Sequence, residues 1–455
     1  MNPRLSAAIA AGRVASRLTR ALRRGGGTVL PGHVAARIDT QALSTLSSRL
    51  PQGSVLISGT NGKTTTARML AQIAHRAGLR PVHNRAGANL PAGILSALLD
   101  GCSLMGQPHG DLGIFEVDEA HVPAAVAAIR PRVLVLTNLF RDQLDRYGEV
   151  DFVARAWQRA AANLPLPAKL VVNIDDPTLA YLSESRLGPA TTFGISECSF
   201  GHEGLPHEAD HRLCPRCRSR LTYSSSNYGH LGLYVCSGCG WRRPVPDVAP
   251  TEIAMDGEHG SDFNLNSDGP IFPTHIPLNG LHNVYNAVAA SAAALALDID
   301  PQYIVQGLAE AQGAFGRDEV VQVGDGSLKL VLVKNPVGFN QALRSLGAED
   351  LTLVAINDLF ADGTDVSWLW DVDFELLGNR RIVCTGLRAH DMSVRLKYAS
   401  VDNRTTEPSL ENALSLALDA ARSGARVAAF CTYTATLEIR HLLQQRGLVA
   451  PFWEN

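Results

Sequence analysis

The stretch SVLISGTNGKTTT, residues 54–66, decides the fold of this chain. Residues 54–58 form a short apolar run typical of a strand, and a helical pattern extends from residue 63 to residue 77. Between them lies a glycine-rich loop, whose backbone N–H groups can point at phosphate oxygens while the helix N-terminus adds positive potential. This order of strand, loop and helix predicts a phosphate-binding loop in an α/β domain.

Two side chains next to the loop suit a nucleotide. Lys63 can reach the β and γ phosphates, and the hydroxyl of Thr64 can ligate Mg²⁺. The general pattern has glycine at the position of Ile57, so a chance glycine-rich turn is the alternative. The strand-loop-helix context favours a MgATP site. Its expected residues are Gly59, Thr60, Asn61, Gly62, Lys63, Thr64 and Thr65.

Outward from the loop, short apolar runs alternate with alanine-rich helical stretches. Continuous apolar strands separated by helices predict mostly parallel sheets covered on both faces. In the first part of the chain, the predicted strands are 112–117, 132–137 and 170–173, and a helix is predicted at 279–297. In the second part, the predicted strands are 328–333, 351–357, 380–385 and 426–431, with helices at 341–346 and 410–423.

The predicted fold class is α/β, with a P-loop central domain built on a parallel sheet, an inserted zinc ribbon and a Rossmann-like C-terminal α/β domain. The expected boundaries are an Arg-rich segment at 1–40, the central domain at 41–313, the ribbon at 196–247 within it, and the C-terminal domain at 318–455. Residues 313–318 are interpreted as a hinge.

Bulk composition excludes some function classes. The chain has 455 residues and a formal net charge of -3, so no basic excess favours nucleic acid as the main partner. No stretch approaches the roughly 18 apolar residues of a membrane helix. Residues 1–24 contain six arginines and no acidic residue. This segment is compatible with a transit peptide, an amphipathic helix on anionic lipid or on the protein body, or a solvated leading helix.

Eight cysteines are present, and four of them form two CxxC pairs separated by eighteen residues. Cys214, Cys217, Cys236 and Cys239 are the expected ligands of one structural Zn²⁺, since this spacing supplies four thiolates to a tetrahedron. The alternatives are independent thiols, a redox pair, or a ribbon whose arginines touch nucleic acid. Of the four scattered cysteines, Cys384 and Cys431 lie in apolar strand-like runs and are interpreted as core positions, and the cysteine pattern as a whole fits a reducing cytoplasm.

Several further segments, in order along the chain, resemble the Mur-ligase superfamily, whose members join an amine to a carboxylate through an acyl phosphate. The loop GTNGKT at 59–64 has the form found there. The other matching segments are EVDE at 116–119, TN at 137–138, DQLD at 142–145, NIDD at 173–176, GLHNVYN at 280–286 and FGR at 315–317. In DQLD, Gln143 stands where the family has histidine.

The resemblance implies roles for further residues. They are Glu116 for Mg²⁺, Asn138, His282 and Asn283 for the nucleotide, and Arg317 for the γ-phosphate. The alternatives are a salt bridge for Glu116 and a helix cap for His282 and Asn283. The family commonly has a carbamylated lysine between the segments matched at 142–145 and 173–176. Here Lys169 begins a strand, which speaks against a second Mg²⁺ held in that way.

A Mur-type core interrupted by a four-cysteine ribbon resembles one branch of the superfamily, the MurT subunits of lipid II isoglutaminyl synthase. Residues 333–340 and 356–371 resemble segments of that branch's C-terminal domain. The resemblance implies ATP-dependent amidation of the D-Glu α-carboxylate in the lipid II stem peptide. Ammonia would come from a glutaminase partner, GatD, and the enzyme would be cytoplasmic, with membrane contact left open.

The same resemblance implies that an aspartate of this chain completes the partner's Cys–His pair. Asp362 is the first candidate, Asp365 the second and Asp358 the third, and each has the alternative role of a turn or cap residue. Two other functions compete with the amidotransferase. One is a stand-alone amino-acid ligase of the Mur or folylpolyglutamate type, and the other is a nucleotide-regulated scaffold.

Overall fold

The computed structural model describes most of the chain, in two compact units. The described residues are 3–21, 29–84, 88–141, 150–186, 188–197, 199–206, 212–256, 259–267, 269–312, 317–347 and 349–449. The first unit contains the described residues up to Phe140 and from Val150 to Gln312. The second contains Arg141 and the described residues from Arg317 onward.

The first unit is built on a six-stranded sheet with helices around it. Its sheet strands are β1 (Ser54–Ser58), β2 (Pro81–His83), β3 (Leu112–Glu116), β4 (Val133–Leu136), β5 (Lys169–Asn173) and β6 (Ala190–Phe193). Its helices are α1 (Pro3–Ala21), α2 (Leu30–Ile38), α3 (Ala42–Ser47), α4 (Lys63–Arg76), α5 (Pro91–Asp100), α6 (Val122–Ile129), α7 (Val150–Ala162), α8 (Pro177–Glu184), α9 (Leu281–Ala296) and α10 (Pro301–Ala309).

All six strands of this sheet run parallel, in the order β2-β3-β1-β4-β5-β6. Every residue of β1, β3 and β4 is buried. Because successive side chains of a strand point to opposite faces, burial of all of them means that helices cover both faces. The predicted parallel α/β architecture is confirmed. Strand β1 lies between β3 and β4, inside the sheet. Because all strands run parallel, the loop that follows β1 lies at the sheet's carboxyl edge.

The N-terminal helix α1 packs on α2 and α5 of the first unit. Leu5, Ala8 and Ile9 are buried, and the Arg13 guanidinium donates to the backbone oxygen of Leu99 at 3.0 and 3.1 Å. A cation at the carboxyl end of α5 satisfies carbonyls that the helix leaves unpaired. Of the roles considered for this segment, the structure has the helix docked on the protein body.

Five antiparallel strands follow β6. Strands β7 (Leu221–Tyr228) and β8 (Leu231–Cys236) form a hairpin, and β9 (Ala249–Asp256), β10 (Gly260–Asn266) and β11 (Phe272–Ile276) form a three-stranded sheet. The sequence analysis did not predict β9–β11. Their apolar residues are sparse, and only Ile253, Phe263, Leu265 and Ile276 are buried hydrophobic side chains there.

The second unit has its own six-stranded sheet. Its strands are β12 (Arg317–Val323), β13 (Gly326–Leu332), β14 (Leu351–Ala355), β15 (Arg381–Thr385), β16 (Arg404–Thr406) and β17 (Arg426–Cys431). Its helices are α11 (Pro336–Arg344), α12 (Ala389–Tyr398), α13 (Leu410–Arg422) and α14 (Tyr433–Gln445), with short 3₁₀ helices at Ser367–Asp371 and Phe374–Leu377. The order is β12-β13-β17-β14-β15-β16, and β12 alone of these strands is antiparallel to its neighbour.

Two buried clusters lie on opposite faces of this second sheet. One is formed largely by α13 and α14, and the other by α11, α12 and the 3₁₀ helices. The helix predicted at 341–346 begins earlier, at Pro336. The side chain of Asn335 caps it by accepting from the Gly338 N–H at 2.8 Å, and proline is favourable at the first helical position.

Among the residues that the structure describes, no helix is both long and apolar enough to cross a bilayer.

Candidate nucleotide and metal sites

The glycines of the phosphate loop, residues 59–66, are required by its geometry. Gly62 has φ of 86° and is the N-cap of α4. A Cβ atom on Gly62 would lie 2.1 Å from Oδ1 of Asn286, and one on Gly59 would lie 1.9 Å from Oγ1 of Thr137. Left-handed backbone and the lack of space both exclude larger residues. The loop therefore keeps a shape in which the amides at the α4 N-terminus can bind an anion.

Lys63 is nearly buried at the base of the loop. Its ammonium group contacts Oε1 of Glu119 at 2.9 Å and donates to the backbone oxygens of Gly59 and Thr60. The two ionised side chains are 10% and 9% exposed. The backbone of Glu119 is held in turn, since the indole N–H of Trp157 donates to its carbonyl oxygen at 2.8 Å. The sequence analysis did not select Glu119 as a site residue, although its distance from Lys63 makes it part of the site.

A hydroxyl and a carboxylate meet beside the loop, as a Mg²⁺ site requires. The Thr64 hydroxyl donates to Oε2 of Glu116 at 2.9 Å. Glu116 is 4% exposed, and its backbone N–H and oxygen are both bound by the side chain of Asn84, at 2.9 and 3.0 Å. Hydroxyl and carboxylate oxygens are hard ligands suited to Mg²⁺. Asn84 was missed by sequence reasoning because its role is to fix the end of β3 from a loop after β2.

Asn138 holds the loop from the carboxyl end of β4. Its Oδ1 accepts from the backbone N–H of Asn61 at 2.8 Å, and its Nδ2 donates to the Asn61 oxygen at 3.0 Å. Thr137 Oγ1 donates to the same oxygen at 3.0 Å. In this structure, Asn138 therefore contacts the loop backbone and shapes it.

The start of α9 approaches the loop from another direction. Asn283 Nδ2 donates to the Asn279 oxygen at 2.7 Å, and its Oδ1 accepts from Asn286 Nδ2 at 3.3 Å. Asn286 Oδ1 in turn accepts from the Thr66 hydroxyl at 3.4 Å. The first bond is made to a carbonyl that precedes the helix, whereas a helix cap accepts from the unpaired N–H groups of the first turn, so it is not the cap considered as an alternative for Asn283. His282, half-buried, lies in the first turn of the same helix.

Two buried aspartates after β5 connect the loop region with the cysteine-rich insertion. Asp175 accepts from Arg243 Nε at 2.8 Å and from the hydroxyl of Tyr285 at 2.6 Å. Asp176 Oδ2 lies 3.2 Å from Nε2 of His230. Burial, followed by the nearby Asp175 charge, raises the pKa of Tyr285 well above its ordinary value. The NIDD segment thus has a visible structural role.

The four cysteines of the two CxxC pairs come together in the first unit. Their sulfur atoms all lie within 4.8 Å of one another, with Sγ–Sγ distances of 3.8 Å from Cys214 to Cys239 and 3.4 Å from Cys217 to Cys236. A tetrahedron with Zn–S bonds of about 2.3 Å has S–S edges of about 3.8 Å. The cluster can therefore hold a metal ion.

The thiols have unequal pKa values. Hydrogen bonds from Ser219 lower the pKa of Cys217 to about 6, whereas burial raises that of Cys214 to about 12. Backbone N–H groups of Gly238 and Cys239 point at the Cys236 sulfur at 3.4 Å each. Such N–H donors stabilise thiolates, as metal-binding knuckles require. Trp241, Tyr223 and Tyr234 pack beside the cluster and give it a small core.

In the second unit, the aspartate loop, residues 358–366, follows β14. Asp362 is 6% exposed, and it accepts from the Thr434 N–H at 2.7 Å and from the Thr434 hydroxyl, at the N-terminus of α14. Asp365 is exposed and accepts from the Ser367 N–H at 2.8 Å. Asp358 pairs with Arg388 at 2.7 Å. Asp362 and Asp365 accept from backbone N–H groups, as the alternative interpretation of turn or cap residues expects. Asp358 has an ion pair instead.

Some expected site features lie outside the described residues. These are the DQLD segment at 142–145, residues 315 and 316, and the side chain of Arg317, whose backbone begins β12. Lys169 is described, at the amino end of β5, and it pairs with Asp298 at 3.1 Å. The phosphate loop lies at the opposite, carboxyl edge of the same sheet, which agrees with the expectation that Lys169 is badly placed for a metal.

Comparisons with known proteins agree with this architecture. Residues 57–211 match the family model of the Mur ligase middle domain, and residues 332–436 match the MurT ligase C-terminal model. A pseudomurein peptide ligase type C from Methanothermus fervidus has a similar fold, with a TM-score of 0.70 and 22% identity over 88% of this chain and 80% of that one. MurF of Thermotoga maritima, solved in complex with ADP, has a TM-score of 0.63 and 12% identity, over 91% of this chain and 85% of that one.

The fold and the phosphate loop together define a ligase of the Mur type. A closer relative narrows the assignment. The lipid II isoglutaminyl synthase (glutamine-hydrolyzing) subunit MurT of Streptococcus pneumoniae strain R6 is 34% identical over 436 residues, 94% of each chain. The present chain belongs to the MurT family.

Proposed function

We propose that this chain is the ATP-dependent synthetase subunit of an isoglutaminyl synthase, acting on the D-Glu residue of the lipid II stem peptide. Its α-carboxylate would become the amide of D-isoglutamine. The observation that carries the proposal is the cluster of Lys63, Thr64 and Glu116 around a glycine-rich loop, at 2.9 Å spacing between the last two side chains. Similarity to a MurT subunit over nearly the whole chain supports the substrate class.

The loop residues have separate tasks in this proposal. The amides of the loop and of the α4 N-terminus hold the triphosphate, and Lys63 neutralises charge on the transferred phosphoryl group. Glu119, 2.9 Å from the Lys63 ammonium, keeps that ammonium at the loop. Thr64 and Glu116 would hold Mg²⁺, which when bound supplies positive charge to the phosphate oxygens. His282 and Asn283 are the proposed nucleotide contacts on α9, and Arg317 is the proposed γ-phosphate contact.

The proposed reaction has two steps, phosphoryl transfer to the carboxylate and attack of ammonia on the resulting acyl phosphate. An oxygen of the substrate carboxylate attacks the γ-phosphorus of ATP, the bond to the bridging oxygen breaks, and an acyl phosphate and ADP result. Ammonia then attacks the acyl carbon, phosphate leaves, and the nitrogen releases a proton. Activation is needed because a carboxylate oxygen is a poor leaving group whereas phosphate is a good one. The protein accelerates the first step mainly by positioning and by charge stabilisation.

Ammonia is proposed to come from a glutaminase subunit of the GatD type, because the relative's name describes a glutamine-hydrolysing enzyme with MurT as one subunit. An aspartate from the aspartate loop would orient the imidazole of that partner. Exposure now favours Asp365, whose carboxylate faces solvent, over the buried Asp362. We therefore propose Asp365 as the group that reaches the partner, with Asp362 fixing the loop that carries it.

The four-cysteine cluster is proposed to hold a structural Zn²⁺. With Cys214, Cys217, Cys236 and Cys239 all as ligands, no coordination position remains for water or substrate. The ion would supply folding free energy to a segment that has few apolar residues. A cytoplasmic location at the inner face of the membrane follows from the proposed lipid-linked substrate.

The decisive experiment is a reconstituted amidation assay. The chain is purified with its glutaminase partner and supplied with lipid II, ATP and glutamine, and the amidated product is measured by mass spectrometry. Lys63→Ala should lower the rate by about 100-fold or more, because charge stabilisation is lost in the transition state. Lys169→Ala is the matched control, since this lysine pairs with Asp298 at the other edge of the sheet, and it should retain full activity.

Other outcomes would support the competing functions. Amino-acid-dependent ADP release without a partner would identify a stand-alone ligase. Binding of MgATP without turnover in any combination of substrates would identify a scaffold.

A further inference from the structure

The turn of the cysteine-rich hairpin, residues 228–230, is buried in the first unit. It lies at the opposite end of β7 and β8 from the cysteines. Tyr228 is 6% exposed and His230 is fully buried. The ring of Phe140, just after β4, contacts both side chains, with centroid distances of 5.2 Å to Tyr228 and 4.7 Å to His230. The hairpin is therefore anchored in the core at the end that faces the phosphate loop.

Tyr228 also makes a direct contact with the loop. Its hydroxyl accepts from Nδ2 of Asn61 at 3.1 Å. The backbone of Asn61 is held from the other side by Asn138, at 2.8 and 3.0 Å. One loop residue is thus held by two separate parts of the sequence, its backbone by the end of β4 and its side-chain amide by the hairpin.

A second chain of contacts fixes the position of the turn. His230 Nε2 lies 3.2 Å from Asp176 Oδ2, and the same oxygen accepts from the backbone N–H of Leu139 at 2.9 Å. The next residue, Phe140, donates its N–H to the hydroxyl of Thr60 in the loop at 2.9 Å. The Tyr228 hydroxyl is consequently carried by a rigid, buried support, so that it can define the orientation of the Asn61 amide.

We propose that Tyr228 is a positioning residue for the phosphate loop and acts through Asn61. In this way the cysteine-rich hairpin helps to set the affinity for nucleoside triphosphate. A loop whose donors are held in the binding geometry loses less conformational freedom when a triphosphate binds. The hydroxyl does not touch the nucleotide in this proposal. The inference rests on the proposed nucleotide function, and it assigns to the hairpin a role beyond its own stability.

The test is Tyr228→Phe in the full chain, which keeps the ring contact with Phe140 and removes the hydroxyl. We expect the dissociation constant for MgATP, measured by isothermal titration calorimetry, to rise about three- to tenfold, the usual effect of one neutral hydrogen bond. The thermal midpoint of the nucleotide-free protein should change by no more than about 2 °C. In the amidation assay, the KM for ATP should rise and kcat should change little.

Tyr234→Phe is the matched control. Tyr234 lies in the same hairpin and its hydroxyl donates to the backbone oxygen of Ile174 at 3.1 Å, a contact that does not involve the loop. This variant should lower thermal stability but leave the affinity for MgATP at its original value. An equal loss of affinity in Tyr234→Phe would mean that general weakening of the hairpin is responsible, and the specific role of Tyr228 would be refuted.

A double-mutant cycle with Asn61→Ala tests the route of the effect. If Tyr228 acts through Asn61, Tyr228→Phe should have no further effect on MgATP affinity in the Asn61→Ala background. An undiminished three- to tenfold effect there would overturn the inference. If the wild-type protein bound no MgATP, the proposed nucleotide function itself would be refuted. If wild type bound MgATP and Tyr228→Phe bound it with the same affinity, only the role of Tyr228 would be refuted.

Discussion

The phosphate loop of the first unit and the aspartate loop of the second occupy equivalent places and are built differently. Each follows a buried strand inside a mostly parallel sheet, β1 in one unit and β14 in the other. Such strand ends are where α/β proteins usually place their ligands. In the phosphate loop, the glycine backbone and Lys63 form the candidate nucleotide site. In the aspartate loop, acidic side chains bind amides of their own chain, as Asp362 does with Thr434.

The difference shows that the role of a loop glycine can be inferred from the sequence more directly than the role of a loop aspartate. Glycines at 59 and 62 are needed whatever the ligand is, because positive φ at Gly62 and contacts with Thr137 and Asn286 leave no room for a side chain. An aspartate in a loop has two roles that look alike in sequence, a backbone cap and a functional carboxylate. Burial and hydrogen-bond partners separate them.

The largest effect on stability is expected from Gly62→Ala in the phosphate loop. The new Cβ would lie 2.1 Å from Asn286 Oδ1 at a φ of 86°, so the affinity for MgATP should fall by more than about tenfold, and stability should fall by about 2 to 4 kcal/mol. Gly78→Ala is the matched control, with φ of 78° and nothing within 4 Å of the new Cβ. It should cost only about 1 kcal/mol and leave nucleotide affinity unchanged, as calorimetry and urea unfolding can establish.

A smaller effect on stability should distinguish Asp362 from Asp365. Asp362→Asn removes a buried charge from the N-terminus of α14 and should destabilise the protein by about 1 kcal/mol, measured by urea unfolding. Asp365→Asn should stay within about 0.5 kcal/mol of wild type because this residue is exposed. In the amidation assay, Asp365→Asn should abolish glutamine-driven activity and retain activity with added ammonium.

Equal loss with glutamine and with ammonium in Asp365→Asn would contradict the proposed contact with the partner. Selective loss of glutamine-driven activity in Asp362→Asn, at unchanged stability, would return the role to Asp362.

The smallest effect concerns alkaline pH beside the aspartate loop. Burial, followed by the Asp362 charge, raises the pKa of Tyr433 above its ordinary value, which is about 10. The folded state then binds the proton more tightly than the unfolded state, so this contribution to stability is complete below about pH 10 and is lost as pH rises through the raised pKa. Wild type should therefore lose stability between pH 7 and pH 11 that Tyr433→Phe keeps. The free energy of unfolding of Tyr433→Phe, minus that of wild type, should be higher near pH 11 than near pH 7.

Urea unfolding at the two pH values measures this difference between Tyr433→Phe and wild type. A pH dependence identical in the two proteins would exclude Tyr433 as a source of alkaline sensitivity.

Much of the fold and part of the site are encoded locally. The run at 54–66 was sufficient to predict β1, the loop and α4, because apolar strand residues, glycines and a helical pattern act within a few residues of one another. The CxxC spacing likewise predicted a cluster that brings four sulfur atoms within 4.8 Å. The strands β9–β11 were missed because their weak apolar pattern resembles a loop, and their pairing depends on neighbours distant in sequence.

By itself, the sequence determined the parallel α/β class, the phosphate loop, the four-cysteine cluster and the family, since each depends on local pattern or on closely spaced residues. Only the tertiary structure decided that Lys63 pairs with Glu119, that Asp362 is buried while Asp365 is exposed, and that Tyr228 contacts Asn61. These contacts join residues separated by 56 and 167 positions in the first and last cases. Such pairs are set by how the elements pack, which no short stretch of sequence specifies.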